Sequence, residues 1–215
     1  MLPLLPMLSS PPGGQATVKL TCQRDAKVSG QKNFLEILRV EQDETDPAQG
    51  TLTAGNRQYR VALGRTGISA EKKEGDGASP AGIWPLRRIF YRADHVDQPE
   101  TGLPAQRIAP LDGWSDDPAD PDYNRLVSHP ETGKRALSAE HMWREDALYD
   151  VVIVVGHNDD PPLPGHGSAI FMHLARDGYK PTEGCVAMAR EDMLELVRHI
   201  GPDTRLEIVL PESPA

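Results

Sequence analysis

The apolar residues of this chain come in short runs separated by glycine and proline, and this spacing limits the folds it can form. The 215 residues include 19 Gly and 20 Pro. Proline removes a backbone donor and glycine favours turns, so long helices are interrupted before they can form. Short extended runs between turns predict strands instead. The spacing therefore predicts a strand-rich domain.

Several segments carry clear strand patterns. Residues 55–63 follow a Gly-Asn turn and alternate Tyr, Val and Leu with Arg and Ala, which is typical of a hairpin strand with one buried face. Residues 151–155 read Val-Val-Ile-Val-Val and residues 169–172 read Ala-Ile-Phe-Met. Continuous apolar runs of this length predict strands buried on both faces. Residues 34–40 and 206–210 predict an early and a closing strand.

Two segments have helical spacing. Residues 189–200 carry acidic residues in the first turn and place Met193, Leu196 and Ile200 on one face before a Gly-Pro stop. Residues 138–144 begin with a serine that can cap a short helix. Because strands and helices do not alternate repeatedly, we expect a mainly antiparallel β domain with appended helices, that is, an α+β fold.

The organisation along the chain is simple. Residues 1–16 are rich in Pro, Gly and Ser near their end and predict a flexible leader. The apolar start of this leader has no basic residues and is broken by Pro3 and Pro6, so it does not predict a signal peptide. We expect residues 17–215 to form a single domain.

Charge and hydropathy exclude some classes of partner. The net charge is -9 and the pI is near 5.2, whereas nucleic-acid binding depends on clustered Lys and Arg facing phosphates. No run approaches the roughly 20 apolar residues that a membrane-spanning helix needs. We therefore expect neither a nucleic-acid partner nor a membrane span.

One of the two cysteines lies in a segment with the features of a reactive site. Cys22 has no such neighbours, but Cys185 follows Gly184, and His173 ends a predicted strand just upstream. We place Cys185 directly before the predicted helix, and a helix N-terminus and an imidazole both favour the thiolate. A Cys-His pair is a common arrangement of nucleophile and base. Gly184 leaves backbone N–H groups free to hold an oxyanion.

Other interpretations of these residues remain open. His157, His166, His173 and Cys185 could bind zinc, but their spacing matches no zinc pattern, and we predict no metal. Papain-like peptidases also use Cys and His, but there the cysteine comes first, and here only His199 follows Cys185. A peptidoglycan-binding module with an inactive site is the third possibility, which the combination of His173, Gly184 and Cys185 disfavours.

The same segment resembles a known family. Met172-His173 followed by Pro-Thr-Glu-Gly-Cys-Val-Ala-Met at residues 181–188 is similar to the signature of the YkuD-type L,D-transpeptidase domain, in which a histidine precedes a Ser/Thr-x-Gly-Cys element. Further similar pieces follow in consistent order over roughly residues 50–210: the Gly-rich segments 64–67 and 75–82, and the segments 113–118, 123–125 and 156–160, which resemble a proteobacterial branch.

The resemblance implies a YkuD-like, sandwich or barrel-like β fold and a mechanism. Cys185 would attack a carbonyl of a peptidoglycan stem peptide, His173 would move protons, and the N–H groups of Gly184 and Cys185 would hold the oxyanion. An amine of a second stem peptide would then resolve the thioester. No cofactor is implied, carbapenem-type inhibitors are expected to react, and the substrate implies a periplasmic location.

The resemblance also implies a groove for the substrate, and its specificity is open. Leu174, Ala187 and the short loop between His173 and Cys185 depart from the commoner pattern. Either L-Ala-to-diaminopimelate (1-3) or diaminopimelate-to-diaminopimelate (3-3) bonds are therefore expected, with L,D-carboxypeptidase activity as an alternative. The residues expected to bind substrate are Tyr123, Asn124, Arg125, His157, Asn158, Tyr179, Thr182 and Glu183.

Overall fold

The computed structural model describes residues 33–128 and 137–212. The predicted leader at residues 1–16, the start of the predicted domain at residue 17 and Cys22 lie outside the described residues. All of these described residues belong to one compact unit. No helix in the described part of the chain is long and apolar enough to cross a membrane.

Strands make up most of the regular structure of the described residues. The strands are β1 (Ile37–Gln42), β2 (Gln49–Ala54), β3 (Arg57–Ala62), β4 (Ile68–Ser69), β5 (Ser79–Pro80), β6 (Gly82–Tyr91), β7 (Ala105–Arg107), β8 (Asp112–Ser115), β9 (Leu126–Ser128), β10 (Ala139–His141), β11 (Val151–Val155), β12 (Phe171–Leu174), β13 (Val186–Met188) and β14 (Arg205–Ile208). One α-helix, α1 (Arg190–Leu196), continues into a 3₁₀ turn at Val197–His199.

The main sheet closes on itself. Its strand order is β11-β12-β13-β3-β2-β1-β14-β6-β7, and β6 also pairs with β11. Eight strands therefore form a ring, and β7 is added beside β6. Two small sheets, β10-β8-β9 and β4-β5, lie outside the ring. This confirms the mainly β, barrel-like expectation, and closure leaves few strand edges exposed.

The strands are less uniformly antiparallel than the sequence predicts. β1 pairs with β14, β12 with β13 and β6 with β7 in parallel, while the other pairs of the main sheet are antiparallel. The parallel neighbours β12 and β13 are joined by a crossover of residues 175–185. This crossover contains the segment that carries Cys185.

Two apolar clusters cover the two faces of the ring. On β11, Val151, Ile153 and Val155 belong to the cluster inside the barrel. Val152 and Val154 belong to an outer cluster that also contains Phe90, Trp114, Met142 and Phe171. Because both faces of β11 are covered, its sequence is a continuous apolar run, as predicted.

The predicted elements differ from the structure mainly at the helices. The helix predicted at 138–144 is wrong, because Ala139–His141 forms β10 and pairs with β8. A single helical turn is unfavourable in isolation, and pairing with a neighbouring strand overrides it. The helix predicted at 189–200 is confirmed over Arg190–Leu196, with Met193 and Leu196 buried. The hairpin predicted around Gly55 is confirmed as β2–β3.

Candidate active site

The parallel register of β12 and β13 brings Cys185 and His173 to the same face of the barrel. His173 pairs with Ala187, and Met172 pairs with Val186. Paired residues project to the same side of a sheet, and side chains alternate along a strand. Cys185 lies two residues before Ala187, so it is a diagonal neighbour of His173. Both side chains therefore face away from the barrel interior.

The thiol of Cys185 is buried in a polar backbone setting. The residue is 8% exposed. Its Sγ lies 3.3 Å from the carbonyl oxygen of Ala169, to which it donates, and accepts from the Phe171 N–H at 3.4 Å. Burial raises the pKa of Cys185 to about 12. The resting group is therefore a neutral thiol whose proton points to the Ala169 carbonyl.

The expected helix N-terminus is absent at this position. Cys185 is followed by β13, and α1 begins only at Arg190. The prediction that a helix directly after Cys185 promotes the thiolate is therefore wrong. A strand follows because Val186 and Met188 fill the barrel interior, which requires alternation with period two.

The tautomer of His173 follows from its contact with the backbone. Nδ1 lies 2.8 Å from the carbonyl oxygen of Leu174, and because a carbonyl only accepts, Nδ1 carries the proton. Burial, aided by the positive charges of Arg176 and Arg144, lowers the pKa of His173 to about 4. The ring also packs edge-on against Tyr149, with centroids 5.3 Å apart. The imidazole is therefore neutral, and Nε2 has a free lone pair for a proton.

The turn before the nucleophile requires glycine. Gly184 has a φ of +134°, and a Cβ there would lie 2.6 Å from the carbonyl oxygen of Ala78. The buried Thr182 hydroxyl accepts from the Gly184 N–H at 3.1 Å and donates to the Cys185 carbonyl at 2.7 Å. The Gly184 N–H, which the resemblance assigns to the oxyanion, is thus engaged by Thr182 in this structure.

A cavity of about 330 Å³ opens beside the pair, and both Cys185 and His173 line it. The Arg144 guanidinium, which also lines the cavity, is held by Glu140 at 2.8 Å and by Asp146 at 2.6 Å. Carboxylates outnumber guanidiniums in the lining, which favours a substrate that bears an ammonium group. The charged lining residues are Glu74, Asp116, Glu140, Glu183, Arg144 and Arg176.

Asn124 has its side chain in the framework of the site. Its Oδ1 accepts from the Trp114 indole N–H at 2.8 Å and from the Ala169 N–H at 3.1 Å. Its Nδ2 donates to the carbonyl oxygens of His157 and Asn158. Asn124 therefore fixes Ala169, whose carbonyl holds the Cys185 thiol, and its φ of +56° is set by these contacts.

Tyr123 contributes to one wall of the cavity. Its hydroxyl donates to the carboxylate of Glu74, which also accepts from the Ser168 hydroxyl at 2.7 Å. Glu74 and Ser168 line the cavity, whereas Tyr123 supports them from behind. The Tyr123 side chain thus holds Glu74 in the wall without lining the cavity itself.

Two of the expected binding residues lie in or at the cavity, and two more lie elsewhere. Thr182 and Glu183 line it, and the exposed Glu183 carboxylate is 3.3 Å from the Arg65 guanidinium. Arg125 donates to the carbonyl of Asp159 on another part of the surface. Tyr179 packs under the guanidinium of Arg60, 4.4 Å from the ring centroid.

His157 and Asn158 line a different cavity of about 690 Å³. The Asn158 amide donates to the carbonyls of Leu163 and Gly167 and so shapes the loop between them. The structure therefore does not bring these two residues to Cys185. Among the residues that the structure describes, no three His, Cys, Asp or Glu side chains form a metal-binding group.

Several residues around the thiol carry no recognisable signal in the sequence. Ala169 adopts a φ of +51° and supplies the carbonyl that holds Sγ. Tyr149, Glu140 and Arg144 reach the cavity from segments without a recognisable motif. A mixed polar segment before an apolar strand is too common a pattern to single them out.

Comparison with known proteins identifies the family. Residues 46–208 match the family model of the YkuD L,D-transpeptidase catalytic domain. A search of curated proteins and a search of solved structures each gave no significant match. The matched segment runs from the loop before β2 to the end of β14, and includes His173, Gly184 and Cys185. Because the match covers most of the chain, the protein belongs to the YkuD family of L,D-transpeptidase catalytic domains.

Proposed function

We propose that this protein is a peptidoglycan L,D-transpeptidase with Cys185 as the nucleophile and His173 as the general base. The observation that carries the proposal is the shared face of β12 and β13, on which a thiol and an imidazole with a free Nε2 line one cavity. Geometry of this kind suits acyl transfer through a thioester.

The first half of the reaction would form the thioester. Both groups rest in their neutral forms, so the proton leaves Sγ for Nε2 of His173 as the sulfur attacks the stem-peptide carbonyl. The new S–C bond gives a tetrahedral intermediate with an oxyanion. Its collapse breaks the C–N bond, and His173 returns the proton to the leaving amine.

The second half would transfer the acyl group. An amine of a second stem peptide attacks the thioester carbon and gives a proton to His173. The C–S bond then breaks, and the sulfur takes the proton back as the thiol. The excess of carboxylates around the cavity supports an acceptor that arrives as an ammonium ion and loses one proton to solvent before its neutral amine attacks.

The proposal includes both bond types and a location. Attack at an L-Ala carbonyl gives a 1-3 bond, and attack at the L-centre of diaminopimelate gives a 3-3 bond. Because peptidoglycan lies outside the cytoplasm, the proposed site of action is the periplasm, which cell fractionation with an antibody would test.

The decisive experiment is incubation with purified disaccharide-tetrapeptide, followed by mass spectrometry of the products. We expect cross-linked dimers from the unmodified protein and from Cys22→Ala, and none from Cys185→Ala. Fragmentation of the dimers identifies the bond as 1-3 or 3-3. Trimmed monomers without dimers would identify a carboxypeptidase instead.

A carbapenem provides an independent check on the nucleophile. The intact protein should gain the mass of one inhibitor, and the adduct should map to Cys185. No adduct on the unmodified protein, together with no turnover of muropeptides, would contradict the proposed activity.

A further inference from the structure

A second cavity lies outside the site of Cys185, and the catalytic steps above make no use of it. It measures about 690 Å³. We call it the Trp84 cavity, after the aromatic ring in its wall. Its lining includes Trp84, His157, Lys73, Pro80, Pro164 and Gly165.

The Trp84 ring is held in place from two sides. Its indole N–H donates to the carbonyl oxygen of Pro80 at 3.1 Å. The ring meets the imidazole of His157 edge to face, with centroids 4.7 Å apart. The two rings therefore form a rigid aromatic corner, which is the kind of surface that ligands with apolar faces contact.

His157 has an acceptor that the described residues leave unused. The side chain is 8% exposed, and its Nε2 lies 3.0 Å from the carbonyl oxygen of His166. Nε2 therefore carries the proton, and Nδ1 is a bare acceptor. No group among the described residues hydrogen-bonds to Nδ1. Burial lowers the pKa of His157, so the ring stays neutral. Nδ1 is itself fully buried, so the N–H or O–H of a ligand would reach this nitrogen after a small shift of the side chains that line the cavity.

The Trp84 cavity and the Cys185 cavity share a wall. Lys73 lines the first and Glu74 the second, and the Glu74 N–H donates to the carbonyl of Gly165 at 3.0 Å. The second segment of this wall is the loop at residues 165–168. Within it, Gly165 lines the first cavity and Ser168 lines the second, and the Ser168 hydroxyl donates to Glu74. One short segment thus separates the two cavities.

The length of that segment sets the reach that a bridging ligand needs. Gly165 and Ala169 are four residues apart, and the Ala169 carbonyl touches the Cys185 sulfur. Four extended residues span at most about 14 Å. In the 3-3 reaction, in which the thiol attacks at diaminopimelate, the stem peptide puts about the same length of chain between its sugar and the attacked carbonyl. A sugar in one cavity and a scissile bond in the other can therefore belong to one molecule.

We propose that the Trp84 cavity binds an N-acetylated sugar of the glycan strand that carries the stem peptide. The hydroxyl and acetamido groups of such a sugar supply the neutral donors that His157 lacks, and its C–H face fits against Trp84. This inference rests on the proposed function, because it takes the stem peptide to be the group that reaches Cys185. The glycan then positions the peptide for the thiol.

The first test measures binding without catalysis. The probe is the peptide-free disaccharide N-acetylglucosaminyl-N-acetylmuramic acid, followed by tryptophan fluorescence. We expect a saturable change in the unmodified protein that is lost in Trp84→Phe, since Trp114 and Trp143 lie outside this cavity. A change that persists in Trp84→Phe, or no change at all, overturns the proposal.

The second test compares kcat/KM for disaccharide-tetrapeptide with kcat/KM for the free tetrapeptide. We expect the kcat/KM for disaccharide-tetrapeptide, divided by that for free tetrapeptide, to fall about tenfold in Ala70→Phe. A fall of this size corresponds to the loss of about one ligand contact. Ala70 is exposed and lines the cavity, so the bulky side chain fills the space without entering the core. The control is Ile83→Ala, since Ile83 neighbours Trp84 on β6 but is 60% exposed on the other face.

The outcomes separate this inference from the proposed function. Equal ratios in the unmodified protein and in Ala70→Phe overturn the sugar site while leaving the transpeptidase intact. A change in Trp84 fluorescence on adding free tetrapeptide, with no change on adding the disaccharide, also overturns the sugar site. The cavity would then be a peptide site. Failure of Cys185 to acylate contradicts the proposed function, whereas the fluorescence test still reports on the cavity.

Discussion

At the scale of single residues, the site combines a thiol and an imidazole that both rest uncharged. Burial acts in opposite directions on the two groups, raising the pKa of Cys185 and lowering that of His173. The Cys185 S–H and the Nδ1–H of the neutral His173 ring each donate to a backbone carbonyl. The pair is therefore suited to proton transfer during attack, rather than to storing a thiolate beforehand.

The alkylation rate of Cys185 tests this neutral resting state. In a Cys22→Ala background at pH 8, iodoacetamide should modify the folded protein at least about a hundredfold more slowly than the urea-unfolded protein, because few molecules carry a thiolate. Intact-mass spectrometry over time measures both rates. A folded-state rate that levels off below pH 7 would instead indicate a thiolate-imidazolium pair.

At the scale of elements, the turn from Thr182 to Cys185 joins a crossover to β13 and controls where the thiol points. Three features define it: the positive φ of Gly184, the Ala78 carbonyl that leaves no room for a Cβ at Gly184, and the two hydrogen bonds of the Thr182 hydroxyl. The turn therefore has little freedom to move, and the thiol position depends on it.

Replacement of Gly184 by alanine should be costly for two separable reasons. The φ of +134° is strained for any side chain, and the added Cβ would meet the Ala78 carbonyl at 2.6 Å. We expect Gly184→Ala to lower the free energy of unfolding by about 3 kcal/mol and to slow acylation strongly.

Gly178→Ala is the matched control for this change. Gly178 has a φ of +75°, but its Cβ would have no heavy atom within 4 Å. It should cost only about 1 kcal/mol, from backbone strain alone. Urea denaturation measures the free energy of unfolding of both variants. Equal losses would show that the clash between a Cβ at position 184 and the Ala78 carbonyl does not affect stability.

At the scale of the whole molecule, the buried histidines link stability to pH. The folded protein holds His173 with a pKa of about 4, while the unfolded chain has the ordinary value of about 6.5. Between these values the unfolded state binds more protons, so stability falls as the pH falls from about 6.5 to 4. His157, whose pKa is also lowered, acts in the same direction.

Removing one histidine should therefore flatten the pH profile of stability. We expect the drop in the free energy of unfolding between pH 7 and pH 4 to be smaller by about 3 kcal/mol in His173→Gln than in the unmodified protein. The exposed His199 provides the control, since His199→Gln should leave the drop unchanged. An unchanged drop in His173→Gln would show that His173 is not held neutral.

The sequence predicts the parts of this molecule that depend on local pattern. The β-branched run at 151–155 predicts a strand covered on both faces, and the family resemblance selects His173 and Cys185. The mainly β class is also predicted, because strand spacing is a local property, whereas the barrel-like closure is expected only from the family resemblance. The strand at Ala139–His141 is not predicted from the sequence. The helical preference of residues 138–144 is weaker than the pairing of this strand with β8.

The rest depends on contacts between residues far apart in the chain. Three of the four hydrogen-bond partners of the Asn124 side chain are 33 to 45 positions away, so its framework role has no local signal. His157 and Asn158 follow β11 directly, but the fold of the next loop directs them to a separate cavity. The protonation states follow from burial, which a motif does not report.

The alternation of side chains on β12 and β13 has a consequence for how such enzymes can diversify. Met172, Val186 and Met188 fill the barrel, while Cys185 and His173 face outward and line the Cys185 cavity. Substitutions in the outward set would change the cavity around the thiol, while the interior set would keep the scaffold that holds Cys185 in place.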